Sequence, residues 1–290
     1  MKNCLIIVNT HKKESQEMGH FISEYLKRKK IDSTIFSFDG FSKAEKFDNS
    51  KDNPFLSADF VITLGGDGTV LFAARGCVEQ GIPVFPINFG EFGFIASIQK
   101  DEWKCELDSF LKGKVNIVER NMLQAVVIDG KSGKDVYSGI GLNDIVISAK
   151  MASRTILMGV DFNYVSLGQF KADGIIVCTA TGSTAYSSSA GGPIVDPTMD
   201  AIILTPKNSF SLSSRPLVLN PHGELEIKIL PSRESDIIIT LDGQKPFDIH
   251  EGDCIKIRQI SKKVKLVGCT AERFYEALQS KLNWSGGPHA

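Results

Sequence analysis

The amino-acid sequence predicts a chain of two domains: an α/β domain with a parallel sheet, followed by a β-rich layered domain. Its 290 residues exceed the common domain size of about 100–150 residues. In the first hundred residues, short apolar runs alternate with helix-like segments, which is typical of a parallel βαβ sheet. Beyond that point, strand-like runs separated by glycine, proline, asparagine and aspartate predominate.

The first predicted domain covers residues 1–99. Apolar residues at helical spacing predict helices around 14–30 and 69–80. Parallel sheets bind ligands beyond the carboxyl ends of their strands, so we expect the segments after the third and fourth strands to face one crevice. Runs rich in β-branched and aromatic residues predict the four strands over 4–9, 33–38, 59–64 and 83–88.

The second predicted domain covers residues 100–267 and opens with an amphipathic helix over Asp101–Lys112. Residues 268–290 are predicted to form a C-terminal helix that packs back on the first domain and ends in a frayed tail. Between these two helices the pattern predicts strands over 115–128, 144–148, 154–162, 174–179, 201–205, 225–230, 236–242, 254–259 and 263–267.

Composition and charge exclude several classes of protein. Apolar residues make up 42% of the chain and charged residues 23%, which is too apolar for a disordered protein. The net charge of −1, without a basic patch, predicts neither a nucleic acid nor a membrane as partner. The six cysteines show no CxxC pairing or metal-ligand spacing, and no signal peptide or membrane span is visible, so we expect a cytoplasmic protein.

The segment Gly65-Gly66-Asp67-Gly68-Thr69 lies where the apolar run Phe60–Leu64 meets a helix-like segment. Three glycines in four positions allow backbone N–H groups to approach phosphate oxygens, and the start of the helix favours negative charge. A carboxylate repels phosphate unless it holds a metal or takes a proton, so Asp67 favours phosphoryl chemistry. A tight turn that binds no ligand is the alternative interpretation.

A second group of polar residues follows the apolar strand that begins at Asp173-Gly174. Its loop, Thr179–Tyr186, is rich in hydroxyls and small residues that suit a nucleoside, although a plain serine-rich turn is the alternative. A serine nucleophile is disfavoured because the G-x-S-x-G elbow is absent. Asn143-Asp144 offers the donor and acceptor that a ribose diol needs, but it is also a common turn dipeptide.

Together these motifs resemble those of the bacterial NAD kinases, in the family's order and over nearly the whole chain. The GGDGT segment is shared with diacylglycerol and sphingosine kinases, whereas the TxTGSTAY run, here Thr179–Tyr186, narrows the resemblance. The further motifs are Asn88-Phe89-Gly90-Glu91-Phe92-Gly93-Phe94, Leu142-Asn143-Asp144, Asp173-Gly174, Leu212-Ser213-Ser214-Arg215-Pro216 and Asp242-Gly243-Gln244.

The resemblance implies an active site between the two domains, where ATP phosphorylates the 2′-hydroxyl of the adenosine ribose of NAD to give NADP. It implies that Asp67 is the catalytic base and that Gly65, Gly66, Gly68 and Thr69 bind phosphates of ATP or NAD. A divalent cation, Mg²⁺, is implied as cofactor, without any side chain assigned as its direct ligand. The family also implies a homodimer or a homotetramer.

The residues that the resemblance assigns to NAD binding come mainly from the second domain. Phe94 matches an aromatic residue beside the adenine, and Asn143 and Asp144 match the family's NAD-binding pair. Arg154 and Gln244 match looser contacts of the family. The remaining implied NAD contacts are Lys171, Asp173, Thr184, Ala185, Tyr186, Ser187, Ser188 and Ser189.

The sequence departs from the family pattern at three positions. Phe72 stands where many relatives carry a basic or polar residue, so a phosphate or dinucleotide contact is expected to be missing there. Ala180 replaces a proline, which frees φ and is expected to loosen the nucleoside loop. Phe92 replaces a leucine and is expected only to repack the crevice wall.

Two other functions remain as alternatives at this point. A lipid kinase of the same superfamily is disfavoured because the chain lacks a basic or amphipathic membrane-docking segment. A non-catalytic dinucleotide sensor is disfavoured because a pure binder gains nothing from a carboxylate that faces phosphates. The sequence leaves open whether the donor is ATP, another nucleotide or polyphosphate, whether NADH is accepted, and whether NADP(H) regulates the protein.

Overall fold

Residues 1–40, 53–90, 93–151, 154–211, 213–232 and 236–282 are described by the computed structural model. The chain divides into two units, the first formed by Met1–Arg120 and Lys262–Ala290 and the second by Asn121–Ser261. Of the motif residues, Glu91, Phe92 and Leu212 lie outside the described residues, as does the predicted frayed tail over 285–290.

Strands outnumber helices in the described residues. The helices are α1 (Lys13–Arg28), α2 (Asp67–Cys77), α3 (Trp103–Leu111), α4 (Tyr186–Ser189) and α5 (Ala271–Leu282), with a 3₁₀ turn at Thr181–Thr184. The strands are β1 (Asn3–Asn9), β2 (Asp32–Phe38), β3 (Phe60–Gly65), β4 (Val84–Asn88), β5 (Ile98–Gln99), β6 (Ile117–Arg120), β7 (Leu123–Ile128), β8 (Asp135–Gly141), β9 (Asp144–Ala149), β10 (Ile156–Phe162), β11 (Val165–Ala172), β12 (Gly174–Thr179), β13 (Ile202–Lys207), β14 (Leu217–Leu219), β15 (Glu224–Leu230), β16 (Ile237–Leu241), β17 (Phe247–Ile249), β18 (Cys254–Gln259) and β19 (Val264–Val267).

The first unit is built on a sheet with the strand order β2-β1-β3-β4-β19-β6, in which β1 to β4 run parallel. Strands β3 and β4 are buried along their whole length, which explains their continuous apolar sequence. Because β1, β3 and β4 are parallel neighbours, the loops after Asn9, Gly65 and Asn88 all leave from the same edge of the sheet.

Both faces of this sheet are covered by helices. On one face, Ile6 and Ile62 share a core with Ile22 of α1 and Leu107 of α3. On the other face, Phe72 of α2 stacks on the rings of β2, because alternate strand residues point to opposite faces. The predicted α/β class with a parallel sheet is therefore confirmed for this unit.

The second unit consists of two antiparallel sheets that share one core. Their strand orders are β11-β10-β15-β18-β7-β8 and β14-β13-β12-β9-β16-β17. Ile147 of β9 and Val177 of β12 meet Val127 and Ile227 of the other sheet in a core of fully buried side chains. The predicted β-rich layered class is confirmed, because the alternating burial along strands such as β7 is that of a sheet with one face in the core.

In the sheet that contains β9, three polar segments meet at one end of the strands. Strand β9 is antiparallel to both β12 and β16, with Asp144 opposite Cys178 and Ile145 opposite Leu241. The start of β9 therefore lies beside the ends of β12 and β16. The turn and short helix that follow β12 cover the outer face of this sheet, where Val195 packs with Cys178.

The domain boundary expected at residue 100 differs from the division in the structure. Residues 100–120 belong to the first unit, because α3 packs in its core and β6 pairs with β19. The predicted strand over 115–128 is interrupted between β6 and β7, where the chain passes from one unit to the other. The strand expected over 263–267 in the second domain is β19, which belongs to the sheet of the first unit.

Strands β8 and β11 were not predicted, and both lie at sheet edges. Most of their residues are exposed or half-buried, so they carry neither an apolar run nor a clear alternation. No helix among the described residues is long and apolar enough to cross a lipid bilayer.

Candidate active site

Asp67 is the first residue of α2, and one residue, Gly66, separates it from the end of β3. Its Oδ1 accepts hydrogen bonds from the backbone N–H groups of Ile95, at 3.1 Å, and Ala96, at 2.8 Å. Its Oδ2 accepts one from Phe94 at 3.1 Å. A carboxylate has about four acceptor positions, so the described residues leave one position on Oδ2 for another donor.

The turn that binds Asp67 is tightly packed at Gly93. A Cβ at this position would lie 2.9 Å from the carbonyl oxygen of Ala96 and would collide with Asp67. A side chain at residue 93 would therefore push the carboxylate away from its three N–H donors. Glycine is required here by the contact with Asp67, a role that the sequence did not indicate.

The same turn is tied to the C-terminal part of the first unit. The thiol of Cys269 lies 3.1 Å from the carbonyl oxygen of Ile95, and burial raises its pKa to about 11, which keeps the proton that it donates. Arg273 at the start of α5 donates to the carbonyl oxygen of Ser97 at 3.2 Å. The position of Asp67 thus depends on residues about 200 positions later in the chain.

The predicted phosphate-binding residues divide into two pairs. Gly65 and Thr69 are buried and pack on each other, since a Cβ on Gly65 would lie 2.9 Å from Cβ of Thr69. Gly66 and Gly68 are at least partly exposed, and a Cβ on either would meet no described atom within 4 Å. The first pair supports the turn from inside, whereas the second leaves backbone accessible to a ligand.

Two aromatic residues of the first unit differ in their exposure. Phe94 is half-buried, with the ring of Phe274 5.9 Å and Nζ of Lys281 5.2 Å from its centroid. Phe72 is 1% exposed and stacks on Phe38 at 4.4 Å between ring centroids. The side chain at position 72 therefore lies in the core rather than beside the turn.

Asp242, at the end of β16, organises the edge of the second sheet. Its carboxylate accepts backbone N–H bonds from Leu142 at 2.9 Å, Asn143 at 2.7 Å and Asp144 at 3.2 Å. Its φ of 51° is in the left-handed region, which aspartate adopts more readily than most residues. Asp242 appeared in a matched motif, but no role was predicted for it.

The side chains of Asn143 and Asp144 are both buried beside this carboxylate. Burial, followed by repulsion from Asp242, raises the pKa of Asp144 to about 7. The side-chain oxygen of Asn143 has no hydrogen-bond partner among the described residues. A buried polar oxygen without a partner is costly, so this atom is available to a ligand donor.

The loop after β12 packs directly against Asn143. A Cβ on Gly182 would lie 2.6 Å from Cα of Asn143, so only glycine allows this approach. The backbone N–H of Tyr186 bonds to Asp144, and Thr179 donates to the carbonyl oxygen of Leu142 at 2.6 Å. Ala180 has a φ of −58°, close to the value that proline imposes, so its backbone conformation matches that of the residue it replaces.

The hydroxyl residues of this loop do not all face solvent. Ser187 is fully buried, 2.9 Å from the hydroxyl of Thr205, and Ser188 bonds to the carbonyl oxygen of Ala185 at 2.8 Å. Thr184 and Ala185 are half-buried, while Ser189 is exposed. Tyr186 is 41% exposed, and Lys207 lies over its ring at 5.4 Å.

The remaining predicted contacts form two groups. Gln244 follows Asp242 and donates weakly to its carbonyl oxygen at 3.4 Å, so it belongs to the same edge. Arg154, Lys171 and Asp173 lie near the start of β12 instead. Thr179 lies six positions after Asp173 along an extended strand, which corresponds to about 20 Å. Arg154, Lys171 and Asp173 therefore lie at the opposite end of β12 from Asn143.

Each unit thus presents one chemical function. The first offers a carboxylate with one open acceptor position beside accessible backbone N–H groups, which suits proton removal next to a phosphate. The second offers an amide oxygen, a carboxyl group and an exposed aromatic ring, which suit a nucleoside. Within the described ranges, no three His, Cys, Asp or Glu side chains are grouped to hold a metal ion.

Comparison with known families gives two matches along this chain. Residues 4–115 match the model of the ATP-NAD kinase N-terminal domain, and residues 142–269 match that of the ATP-NAD kinase C-terminal domain. The chain is 44% identical to the NAD kinase of Treponema denticola over 286 residues, covering 99% of this chain and 98% of that protein. It is 38% identical to the NAD kinase of Treponema pallidum, covering 97% and 90%.

Two solved structures share the fold. The crystal structure of yeast NADH kinase complexed with NADH matches with a TM-score of 0.83 at 23% identity, covering 99% of this chain and 89% of that one. An NAD kinase from Archaeoglobus fulgidus in complex with ATP matches with a TM-score of 0.76 at 23% identity, covering 97% and 99%. The predicted family resemblance is confirmed, and neither the lipid kinase nor the sensor is favoured.

The raised pKa of Asp144 predicts a pH dependence of stability. Between about pH 4 and 7 the unfolded carboxyl is ionised while the folded one keeps its proton, so its contribution to stability falls as pH rises. We expect the free energy of unfolding of the wild type, relative to Asp144→Asn, to fall by about 1.4 kcal/mol per pH unit at most. Urea denaturation at constant ionic strength measures this difference.

A direct measurement of the pKa of the Asp144 carboxyl group serves as the control. The ¹³C carboxyl resonance that disappears in Asp144→Asn should titrate near pH 7 in the wild type. A midpoint near pH 4, together with stability curves that run parallel for the two proteins, would contradict the raised pKa.

Proposed function

The chain belongs to the ATP-NAD kinase family, and we propose that it transfers the terminal phosphoryl group of ATP to the 2′-hydroxyl of the adenosine ribose of NAD. The product is NADP, and Asp67 is the general base. The enzyme is a phosphotransferase with an alcohol group as acceptor. The open acceptor position on Asp67, next to two glycines where an added Cβ would meet no described atom within 4 Å, is the observation that carries this proposal.

The hydrogen bonds of Asp67 support a role as base through one oxygen. Both positions of Oδ1 are taken by Ile95 and Ala96, so the proton of the ribose hydroxyl goes to Oδ2. The three N–H bonds hold the carboxylate in place before the substrate binds. A base that is already oriented adds no ordering cost when the reaction begins.

The accessible glycines support a phosphate site at the start of α2. Neither Gly66 nor Gly68 has a positive φ or a described neighbour within 4 Å, so packing within the described residues does not require glycine there. Close approach of a phosphate to the backbone does require it. The N-terminus of α2 adds a partial positive charge towards that phosphate.

The second unit supplies the proposed dinucleotide contacts. The unpartnered oxygen of Asn143 and the carboxyl group of Asp144 bond the ribose hydroxyls, and the exposed ring of Tyr186 packs against a base. Thr184, Ala185, Ser189 and Gln244 line the same edge. For Ser187 and Ser188 a supporting role is proposed, because their hydroxyls are bonded within the loop.

The other NAD contacts remain part of the proposal. Arg154, Lys171 and Asp173, at the opposite end of β12, contact a part of the dinucleotide distant from that ribose. Phe94 packs beside the adenine with the ring face that Phe274 and Lys281 leave open. Gly65 and Thr69 act by shaping the turn.

A divalent cation, Mg²⁺, fits the proposed site as a partner of the nucleotide. Mg²⁺ usually keeps several waters and binds one or two carboxylates together with substrate phosphates. Residues 65–69 and 93–97 contain one carboxylate, Asp67. The phosphates of the nucleotide would therefore supply most of the ion's ligands other than water. When bound, the ion neutralises charge on the transferred phosphoryl group.

The wider setting is proposed from the family. We propose a cytoplasmic homodimer or homotetramer with ATP as donor. Inorganic polyphosphate would meet the same backbone N–H groups, because these read phosphate rather than the base. Activity assays with NADH in place of NAD test whether NADH is a substrate. Assays with added NADP(H) test whether these nucleotides regulate the protein.

The role of Asp67 predicts the behaviour of Asp67→Asn. An amide cannot take the proton, so kcat should fall by about 10²–10⁴-fold while the Kd for NAD stays within a few-fold. NADP is read with an NADP-specific dehydrogenase in the presence of NAD, ATP and Mg²⁺. NADP from the wild type supports the reaction, and turnover retained in the variant would remove Asp67 from the role of base.

A control separates loss of the base from disturbance of the turn. Cys269→Ala removes the thiol bonded to Ile95 but leaves the carboxylate, so it disturbs the turn alone. We expect a much smaller loss of kcat than in Asp67→Asn. Equal losses in the two variants would assign the effect to the turn.

The phosphate site predicts that Gly68→Ala separates binding from stability. Alanine in a helix is more stable than glycine by roughly 0.5–1 kcal/mol, and the site has room, so the variant should unfold no more readily than the wild type. The KM for ATP should rise about tenfold, which is the size of one lost charged hydrogen bond. An unchanged KM in a stable variant would remove Gly68 from the phosphate site.

A further inference from the structure

Lys12 lies at the same edge of the first sheet as Asp67, three residues after β1 and just before α1. Its backbone N–H donates to the carbonyl oxygen of Asn9 at 3.2 Å, which holds residue 12 at the end of the strand. Asn9 in turn touches the GGDGT turn, because a Cβ on Gly65 would lie 3.2 Å from Cβ of Asn9. Lys12 therefore leaves the sheet beside the residues proposed to bind phosphate.

Two hydrogen bonds place the ammonium group close to that turn. Nζ of Lys12 donates to the carbonyl oxygen of Phe89 at 2.5 Å, and the N–H of Phe89 donates to the carbonyl oxygen of Gly65 at 2.8 Å. A single residue, Phe89, thus links the ammonium to the first residue of the turn. Gly90 leaves room for it, because a Cβ there would lie 2.8 Å from Nζ.

The ammonium group has donors to spare. It carries three N–H groups, and one is used by Phe89. Some other lysines of the unit are paired with acids, as Lys29 is with Asp108 and Lys100 with Glu14, but Lys12 forms no ion pair with any residue in the described part of the chain. A half-buried cation that lacks a carboxylate partner is suited to an anionic ligand.

The charges of the residues around Lys12 also favour an anionic ligand. The described residues of 9–12, 65–69 and 88–97 include one carboxylate and one lysine, with His11 as their only other ionisable side chain, and Glu91 lies outside the described residues. Nε2 of His11 lies 2.6 Å from the carbonyl oxygen of Asp39. A nucleoside triphosphate carries several negative charges, and lysine binds phosphate as a compact point charge.

We propose that Lys12 binds the triphosphate chain of the phosphoryl donor through the two donors that Phe89 leaves free. The inference rests on the proposed kinase function and adds a binding residue outside the GGDGT segment. Phe89 holds the ammonium beside the turn before the nucleotide arrives. Lys12 does not contact the ribose of NAD and takes no part in proton transfer.

The test compares Lys12→Met with Lys13→Met. The second variant removes the same charge from the exposed neighbouring lysine, so it is the matched control. For Lys12→Met we expect the KM for ATP to rise about tenfold or more, from the loss of charged hydrogen bonds, with the KM for NAD nearly unchanged. Lys12→Arg, which keeps the charge, should recover most of the affinity, and Lys13→Met should resemble the wild type.

A binding measurement isolates the phosphates from the rest of the nucleotide. Calorimetric titration with inorganic tripolyphosphate should show affinity lowered by a similar factor in Lys12→Met but not in Lys13→Met. Because this readout does not need turnover, it tests Lys12 even if the wild type makes no NADP, an outcome that would refute the proposed function alone.

Three results would overturn the inference. The first is an unchanged KM for ATP and unchanged tripolyphosphate affinity in Lys12→Met. The second is an equal loss in Lys13→Met, which would indicate a general effect of net charge. The third is a rise in the KM for NAD alone, which would assign Lys12 to the dinucleotide.

Discussion

An aspartate carboxylate that accepts three consecutive backbone N–H groups is the interaction on which both proposed sites depend. Asp67 binds residues 94–96 in the first unit, and Asp242 binds residues 142–144 in the second. Each carboxylate thereby joins segments that are distant in the sequence. A buried N–H left without an acceptor costs about 1–3 kcal/mol, so loss of either aspartate would release a segment of its site.

The bonding of one carboxylate by three N–H groups affects a different carboxyl group in each unit. Asp67 is half-buried and keeps one acceptor position on Oδ2, so it combines a structural role with the proposed role of base. Asp144 is buried beside Asp242, and burial and repulsion raise its pKa to about 7. A carboxylate bonded by three N–H groups thus keeps an acceptor position open in the first unit and raises the pKa of a neighbouring aspartate in the second.

Sequence patterns predicted the buried strands but missed exposed edge strands and single residues whose bonds reach far along the chain. Strands β3, β4 and β12 are buried along their length and have continuous apolar sequences, whereas the edge strands β8 and β11 do not. The motifs assigned roles to Asp67 and Asn143, whereas Asp242 stood in a matched motif without an assigned role, because its bonds span about a hundred residues. Lys12 was missed because it is followed by a second lysine, and only the fold distinguishes the two.

A crystal structure with NAD bound tests the proposed role of Asp67 most directly, through the distance from its Oδ2 to the oxygen of the ribose 2′-hydroxyl. We expect about 2.6–3.2 Å, the range of a hydrogen bond to a general base, with the bonds from Phe94, Ile95 and Ala96 retained. A hydroxyl beyond hydrogen-bond reach of Oδ2, with NAD seated on Asn143 and Asp144, would contradict it.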